Sequence, residues 1–373
     1  MELYKYQNYG KIIRKAYGRQ QLFVLLAAFC LLVNSGDING QQFADSKGRD
    51  FWVTFMPNFH NNYWNTDPYY QRGDSLYIFL TSDKPARVSI EYYDRNGTQY
   101  SDIIDIVNTS DVYIFKKCYI DFELLGINRS GEVSGNFDNE AEEIAHLSFH
   151  ITSDEDINVY AHNQAVTTSE AMMIFPTDAL GYDYFIMSYC SNDGRGSYES
   201  GSSTPSQFSI IATADTTSIT ILPSCPTHRN GWRRQEILLN KGDVYLVQAQ
   251  LSFSGSNNDL TGTEINSDKP IAVFGGHQRT KLPVDMTGTS PSRDYLIEQL
   301  PPVSTWGKSA FLTTYPQLPD MTSDTKDIYR ILAANDDTEV FINEKYVTTL
   351  HKGQYYERSE EHTSELQSRQ VNS

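Results

Sequence analysis

The chain has 373 residues, 39% of them hydrophobic and 13% aromatic, and its formal net charge is −17 at pH 7. A chain this acidic is repelled by phosphate backbones, so nucleic acid is excluded as an expected partner. The charge suits a protein that self-repulsion keeps soluble outside the cell.

Residues 1–40 have the pattern of an export signal. Basic residues come first, an unbroken apolar run follows at 22–33, and small residues such as Ser35, Gly36 and Gly40 come next. The apolar run is shorter than the roughly 20 residues that a helix needs to cross a bilayer. We therefore predict a cleaved signal peptide over 1–40, an extracellular or cell-surface location, and no membrane span in the mature chain.

Short segments with alternating or β-branched residues follow from residue 48 onward, and they predict strands. The clearest are 51–55, 76–80, 87–92, 111–115 and 157–160. No segment keeps a helical period for three turns, and the nearest candidate, 140–146, predicts one or two charged helical turns. The predicted fold class is all-β.

An internal repeat runs through the chain. Four residues recur with identical spacing at an offset of 126: Pro176, Gly181, Phe185 and Tyr189 return as Pro302, Gly307, Phe311 and Tyr315. Segment 208–221 returns in the same way as 329–342. Because solenoid units have about 20 to 50 residues, a repeat of about 120 residues indicates larger modules. We predict tandem β-sandwich-like modules at 41–175 and 176–301, with the start of a third at 302–357.

A β-propeller with blades of about 60 residues is the alternative architecture. Five aspartates predict hairpin turns at roughly that interval: Asp83, Asp154, Asp215, Asp268 and Asp336. We expect these side chains to cap their own turns through local bonds to the backbone.

Segment 358–373 differs from everything that precedes it. It shares no periodicity with the repeat and resembles the in-frame translation of a sequencing adapter. We predict that it is an artefact and that the natural protein continues into further sequence.

Several separated blocks resemble one known family. Residues 260–277 contain Leu-Thr-Gly-Thr-Glu-Ile-Asn-Ser-Asp-Lys-Pro-Ile-Ala-Val-Phe-Gly-Gly-His, and 298–307 and 329–334 follow in the same order. These blocks resemble the N-terminal domain of the IgGFc-binding protein family, and the opening block 48–55 is similar to that of bacterial members. The resemblance implies an extracellular binding or adhesion module, without naming the ligand.

The best candidate for ligand contact is the segment that follows the first predicted strand. Tyr63, Trp64, Tyr69 and Tyr70 cluster there with His60, and asparagines lie between them. Aromatic and amide groups together suit stacking on sugars or the centre of a protein interface. The alternative is that the rings fold back on the core. An Arg-Gly-Asp tripeptide at 72–74 matches an integrin motif, but three residues recur often by chance.

Catalytic and metal chemistry have weaker signals. Acidic runs at 138–143 and 154–156 are typical of solvated faces, and no nucleophile motif is present. His277 after Gly275 and Gly276 could be a base, although close glycine packing explains this block better. Cys118, Cys190 and Cys225 lack metal-ligand spacing. We expect no catalytic residue, no metal and no cofactor.

The predicted function is therefore non-catalytic. The chain is expected to be an adhesion or ligand-binding region of a larger surface protein, with an extracellular protein or glycoprotein as partner. A structural stalk and a targeting module of a secreted enzyme that acts on host glycans are the alternatives.

Overall fold

The computed structural model describes residues 46–60, 74–127, 140–165, 168–190, 204–251, 258–282, 293–312, 327–360 and 366–371. Within these ranges nearly all regular structure is β-strand, which confirms the all-β prediction. The described part also has a one-turn helix, α1 (Tyr119–Phe122), and 3-10 turns at Thr177–Ala179 and Val303–Thr305. No described helix is long and apolar enough to span a membrane.

The first sheet has seven strands built around one long strand. The first eight strands of the chain are β1 (Gly48–Thr54), β2 (Ser75–Ser82), β3 (Ala86–Tyr93), β4 (Gln99–Ile106), β5 (Tyr113–Cys118), β6 (Ile144–Ala145), β7 (Ser148–Gln164) and β8 (Ser169–Ile174). The order is β4-β3-β7-β2-β5, and β1 and β8 also pair with β7. The first half of β7 lies between β1 and β3, and its second half lies between β2 and β8.

The second sheet repeats this strand order. Its own strands are β9 (Gly181–Phe185), β10 (Ser206–Ala212), β11 (Thr217–Leu222), β12 (Gln235–Leu239), β13 (Val244–Gln248), β14 (Glu264–Thr280) and β15 (Asp294–Gln299). Long strand β14 lies between β9 and β11 in its first half, and between β10 and β15 in its second half. Strand β6 adds an eighth member at the edge of β13.

The remaining strands form two smaller sheets. They are β16 (Ser309–Leu312), β17 (Asp327–Leu332), β18 (Thr338–Ile342), β19 (Lys345–Leu350), β20 (Tyr355–Glu360) and β21 (Leu366–Val371). Strand β17 pairs with β20, and the other sheet has the order β16-β21-β18-β19. Parts of segment 358–373 therefore lie in β20 and β21, while its origin stays a prediction.

The two large sheets share one hydrophobic core. Strand β3 alternates buried and exposed residues, as a strand with one solvated face does. Strands β10 and β13 are buried along their whole length, because both faces of the second sheet are covered. One face contributes Phe274 and Tyr295 to the core of the first sheet, and the other forms a second core around Phe208 and Val273. Separate sandwich-like modules, and the propeller alternative, stay predictions.

Two of the five predicted aspartate hairpins are wrong. Asp154 and Asp268 lie inside β7 and β14 and not in turns. Pro270 follows at a register shift between β14 and β9, where a missing N–H is tolerated. The turn-like Asp-Lys-Pro sequence thus marks an irregularity in a long strand.

The side chains of Asp154 and Asp268 do not cap local turns, because they accept hydrogen bonds from backbone groups that are far away in the sequence. Asp154 Oδ1 accepts the N–H of Arg87 at 2.7 Å, and Asp268 Oδ1 accepts that of Ser218 at 2.8 Å. Each bond ties a long strand to the beginning of its neighbour, β3 or β11. The prediction of local capping was therefore wrong for this pair.

Matching contacts join consecutive sheets. The ring of Trp52 lies 3.3 Å from the Cβ position of Gly242 in the Lys-Gly turn at 241–242, and the lysine Nζ is 5.6 Å from the ring centroid. Phe185 meets the Lys-Gly turn at 352–353 in the same way, at 3.6 Å and 5.8 Å. Both glycines have positive φ, which favours glycine. The same aromatic-on-glycine contact therefore occurs twice along the chain.

Among the described glycines, Gly276 has the shortest distance between its Cβ position and a neighbouring atom. A Cβ atom there would lie 1.9 Å from the backbone oxygen of Leu296 on β15, and that carbonyl belongs to a paired strand. We expect Gly276→Ala to lower the free energy of unfolding by about 3 kcal/mol, at the upper end of overpacking costs. Urea denaturation measures the change. Gly307→Ala is the control, because no atom lies within 3.4 Å of its Cβ position; equal stability of the two variants would contradict the prediction.

Candidate functional site

The predicted ligand-contact residues Tyr63, Trp64, Tyr69 and Tyr70 lie outside the described residues. The two residues that flank their segment, His60 and Asp74, are described. His60 follows β1, and Asp74 directly precedes β2. Both are buried, with 5% and 7% of their surfaces exposed. The described part of the site is therefore the pair of residues that flank segment 61–73, which together with their partner Glu123 we call the neck.

The buried ring of His60 contacts a carboxylate at each of its two nitrogens. His60 Nδ1 lies 2.7 Å from Asp74 Oδ2, and Nε2 lies 2.9 Å from Glu123 Oε2. The ring of Tyr119 stacks on the imidazole with a centroid distance of 3.7 Å. Because each ring nitrogen faces a carboxylate, both nitrogens donate and the histidine is an imidazolium. Both ends of segment 61–73 are thereby tied to each other and to Glu123.

Glu123 is the hub of the network and directly follows α1. One oxygen, Oε1, accepts the backbone N–H of Asn58 at 3.0 Å, and the other, Oε2, accepts Asn163 Nδ2 at 2.6 Å. Asn58 Nδ2 in turn donates to Asn163 Oδ1 at 3.2 Å, which ties β7 into the network. Residues that are far apart in sequence therefore fix one point of the fold.

The charges of the neck set the pKa of His60. Burial by itself lowers that pKa, but the negative charge of Glu123 and the hydrogen bonds to Asp74 and Glu123 outweigh burial and raise it to about 9. The imidazolium is therefore the dominant form at neutral pH. Because the pKa of His60 is higher in the folded state than in the unfolded state, protonation of the imidazole favours folding.

This raised pKa predicts a loss of stability in alkali. The contribution of His60 is fully present below pH 6.5, the unfolded value, and is lost as pH rises through about 9. We expect the free energy of unfolding to fall by about 2–3 kcal/mol between pH 7 and pH 10. Urea denaturation across that range measures it. His351→Gln, an exposed control, should keep this fall, whereas His60→Gln should lose most of it; a fall of the same size in His60→Gln would refute the assignment.

The structure corrects two sequence-based interpretations of this region. The sequence places His60 in one cluster with the aromatic candidates for ligand contact, but its ring is buried and both ring nitrogens contact carboxylates. Asp74 ends the Arg-Gly-Asp tripeptide, and its carboxylate is buried against His60. Neither side chain is available to a ligand in this arrangement.

Residues that flank two other long segments lie beside the neck. Gln278 Nε2 donates to the backbone oxygen of Asn58 at 3.4 Å, and Thr280 Oγ1 donates to that of Cys190 at 3.3 Å. Thr204 Oγ1 donates to the backbone oxygen of Arg279. The described residues next to 61–73, 191–203 and 283–292 therefore come together at one end of the two large sheets, which we call the loop end.

In the described part of the acidic run at 138–143, Glu143 is exposed but Glu142 is buried. Glu142 is buried with a positive φ of 58°, so the helical turn predicted at 140–146 is wrong. Its carboxylate accepts Thr227 Oγ1 at 2.6 Å, Gln235 Nε2 at 2.7 Å and Asn230 Nδ2 at 3.0 Å. These bonds hold the 227–235 region against the residues just before β6. The sequence did not indicate this structural role of Glu142.

His277 is a buried packing residue. It is 0% exposed, and burial lowers its pKa to about 3, so it is neutral. Nδ1 accepts the backbone N–H of Arg279 at 3.0 Å. The preceding glycines allow close strand contact, since a Cβ on Gly275 would lie 2.3 Å from the backbone oxygen of Met187. Glycine packing therefore explains this block.

Glu170 and Glu298 are the described carboxyl groups that best resemble a pair for acid catalysis. They lie on β8 and β15, and burial, followed by the charge of Glu170, raises the pKa of Glu298 to about 7. Burial also raises the pKa of Glu170. Glu298 nevertheless keeps an exposed side chain, and no described nucleophile is paired with it.

Metal and disulfide chemistry have little support in the described part of the chain. Its histidines, cysteines and carboxylates form no group that could hold a metal ion. Cys118 is exposed, Cys190 and Cys225 are buried, and all three are free thiols. Burial raises the pKa of both buried thiols to about 12, so they are not reactive thiolates.

The fold and the loop end define a class of protein: a β-sheet scaffold that brings together the residues flanking several long connecting segments, an arrangement common in binding modules. The sequence comparisons then give the family. The chain belongs to the IgGFc-binding protein family, whose sequence model, described as IgGFc binding protein, matches residues 170–371. This confirms the resemblance seen in the sequence.

One curated relative is similar over most of the chain. It is the IgGFc-binding protein of Homo sapiens, with 26% identity over 307 residues. The match covers 80% of this chain but only 5% of the human protein. Most of that relative therefore has no counterpart in the region compared.

Proposed function

We propose that this chain is a non-catalytic binding module whose loop end contacts an extracellular protein or glycoprotein. The observation that carries the proposal is the neck, where His60, Asp74 and Glu123 hold both ends of segment 61–73 at one point. A scaffold that fixes the ends of a segment limits the entropy that the segment loses when it binds a ligand.

The composition of that segment supports the same function. Tyr63, Trp64, Tyr69 and Tyr70 are the proposed contact residues, since Tyr and Trp carry much of the energy in protein interfaces. The printed name of the human relative makes the Fc region of IgG the first ligand to test. We propose Fc as a candidate and keep other extracellular glycoproteins as alternatives.

Surface plasmon resonance with immobilised Fc tests this proposal. We expect saturable binding that Trp64→Ala and Tyr69→Ala each weaken about tenfold or more, as hot-spot residues do. Tyr346→Ala is the control, because this tyrosine is exposed on β19, which belongs to neither of the two large sheets. Absence of measurable binding would favour a structural stalk, and binding that neither loop variant changes would show that Trp64 and Tyr69 are not contact residues.

The cellular setting is part of the proposal. We propose export through a signal peptide at 1–40, a place in a larger cell-surface protein used for adhesion, and module boundaries at 41–175, 176–301 and 302–357. N-terminal sequencing of the exported protein tests the signal peptide, and long-read sequencing of the source DNA across the codon for Glu357 tests the artefact.

A hydrolase screen on mucin-type glycans tests the absence of catalysis. We expect no turnover by the purified chain. Turnover that Glu298→Gln abolished would overturn the non-catalytic proposal and identify the Glu170–Glu298 pair as its acid machinery.

A further inference from the structure

Arg279 lies at the loop end and has no ion-pair partner among the described residues. It lies near the end of β14, and its guanidinium carbon is 4.1 Å from the centroid of the Phe59 ring. The Nε atom is buried without a hydrogen-bond partner. No described carboxylate forms an ion pair with Arg279, although the chain carries a net charge of −17.

The described carboxylate whose charge acts on Arg279 is that of Asp294, and it already has other partners. Asp294 lies opposite Thr280 on the neighbouring strand, and its Oδ1 accepts the backbone N–H groups of Ser169 at 3.0 Å and of Tyr295 at 2.9 Å. Arg293 adds a second positive charge, so burial first and Arg293 second lower the pKa of Arg279. Burying a charge without a partner is unfavourable, and a long arginine side chain usually escapes by reaching into water.

The ring of Phe59 holds the guanidinium in place instead. Phe59 is 6% exposed and directly precedes His60, so the neck network fixes its backbone. A planar guanidinium held against an aromatic face is preorganised for a carboxylate, which it can bind with two parallel hydrogen bonds. The unused donors lie beside the residues that flank 61–73, 191–203 and 283–292.

We propose that Arg279 and Phe59 form a carboxylate-binding subsite that receives an aspartate or glutamate side chain of the protein ligand. This inference rests on the proposed binding function, which it deepens by assigning a partner chemistry to the loop end. The charge of the Arg279 guanidinium favours a negative group of the ligand and disfavours a positive one.

The first test follows the Nε–H resonance of Arg279 by NMR, assigned by its absence from Arg279→Met. The probe is N-acetyl-glutamate N-methylamide, which has one side-chain carboxylate, and N-acetyl-glutamine N-methylamide is the neutral control. We expect a saturable shift with the carboxylate probe alone. No shift, an equal shift with the amide, or a shift only with a sialic acid methyl glycoside would overturn the proposal.

The second test uses stability and Fc binding. Arg279→Met should leave the thermal midpoint unchanged or raised, because it removes an uncompensated charge; a lower midpoint would show that the arginine is structural.

If Fc binds, Arg279→Met should weaken the affinity for Fc about tenfold or more and Arg279→Lys should weaken it by less, while the exposed control Arg87→Met has no effect. If Fc does not bind, the choice of Fc fails and the NMR result alone decides the subsite. If Fc binds all variants equally, the binding function stands and the subsite fails.

Discussion

Replacing Glu123 with leucine should destabilise the protein by about 3–5 kcal/mol, the cost of removing one member of a buried ion pair. The change leaves the His60 imidazolium with a single carboxylate, the backbone N–H of Asn58 without its acceptor, and Asn163 Nδ2 with only its longer bond to the backbone oxygen of Met56 at 3.4 Å. Each unsatisfied buried group adds to the cost. Urea denaturation at pH 7 measures the effect, and Fc binding by Glu123→Leu reports whether the neck must be intact for function.

Two further variants separate the network from the mere loss of a glutamate. Glu91→Leu on β3 is the matched control, because this side chain is exposed, and it should change stability by less than about 0.5 kcal/mol. The double variant Glu123→Leu, His60→Leu should be less destabilised than the sum of the single variants, since either single substitution already breaks the contact between Glu123 and His60. Additive single-variant costs would show that the two residues are not coupled.

Replacing Arg330 with methionine should release the hairpins at 327–360 from the second sheet. The guanidinium is 7% exposed, lies between the rings of Tyr189 and Tyr355 at 4.4 Å from each centroid, and donates to Asp259 Oδ2 at 2.8 Å and Glu357 Oε2 at 2.7 Å. Removal of the guanidinium leaves the buried carboxylate of Asp259 without its counter-ion, which lowers the free energy of unfolding by about 3–5 kcal/mol.

The effect should be local, because this region has a small core of its own. Ile331, Ala333, Val340 and Leu350 are its buried members, too few to hold the hairpins without docking. Hydrogen exchange should show lost protection in β17 and β20 of Arg330→Met, while β7 and β14 keep theirs. Arg234→Met is the control, because its pair with Glu236 is exposed. Uniform loss of protection across all sheets would argue against a local anchor.

Strands were predictable where burial has a period of two. Segments 76–80 and 87–92 lie in β2 and β3, since alternation survives when one face of a sheet is solvated. The lengths of β7 and β14 were not predictable, because Asp154 and Asp268 carry local turn signals that pairing with four neighbouring strands overrides. Local propensity gives way when the backbone bonds of a segment are satisfied by tertiary partners.

The candidate site was predictable only in part. The aromatic and amide composition of 61–73 indicated binding from the sequence alone, but nothing near it indicated that Glu123 and Asn163 complete its neck. The local sequence did not indicate a role for Arg279 or Glu142 either. Packing leaves Arg279 Nε without a hydrogen-bond partner, and it gives Glu142 partners that are far away in the sequence.

The sequence by itself determined the all-β class and the family, since hydrophobic alternation and the ordered Gly-Pro blocks are properties of the chain read in order. Only the tertiary structure decided which charges are buried together. His60, Asp74 and Glu123 are separated by up to 63 residues, and their interaction exists only when folding brings them together. The same carboxylates would be solvated in an unfolded chain, where water screens their attraction for the imidazolium.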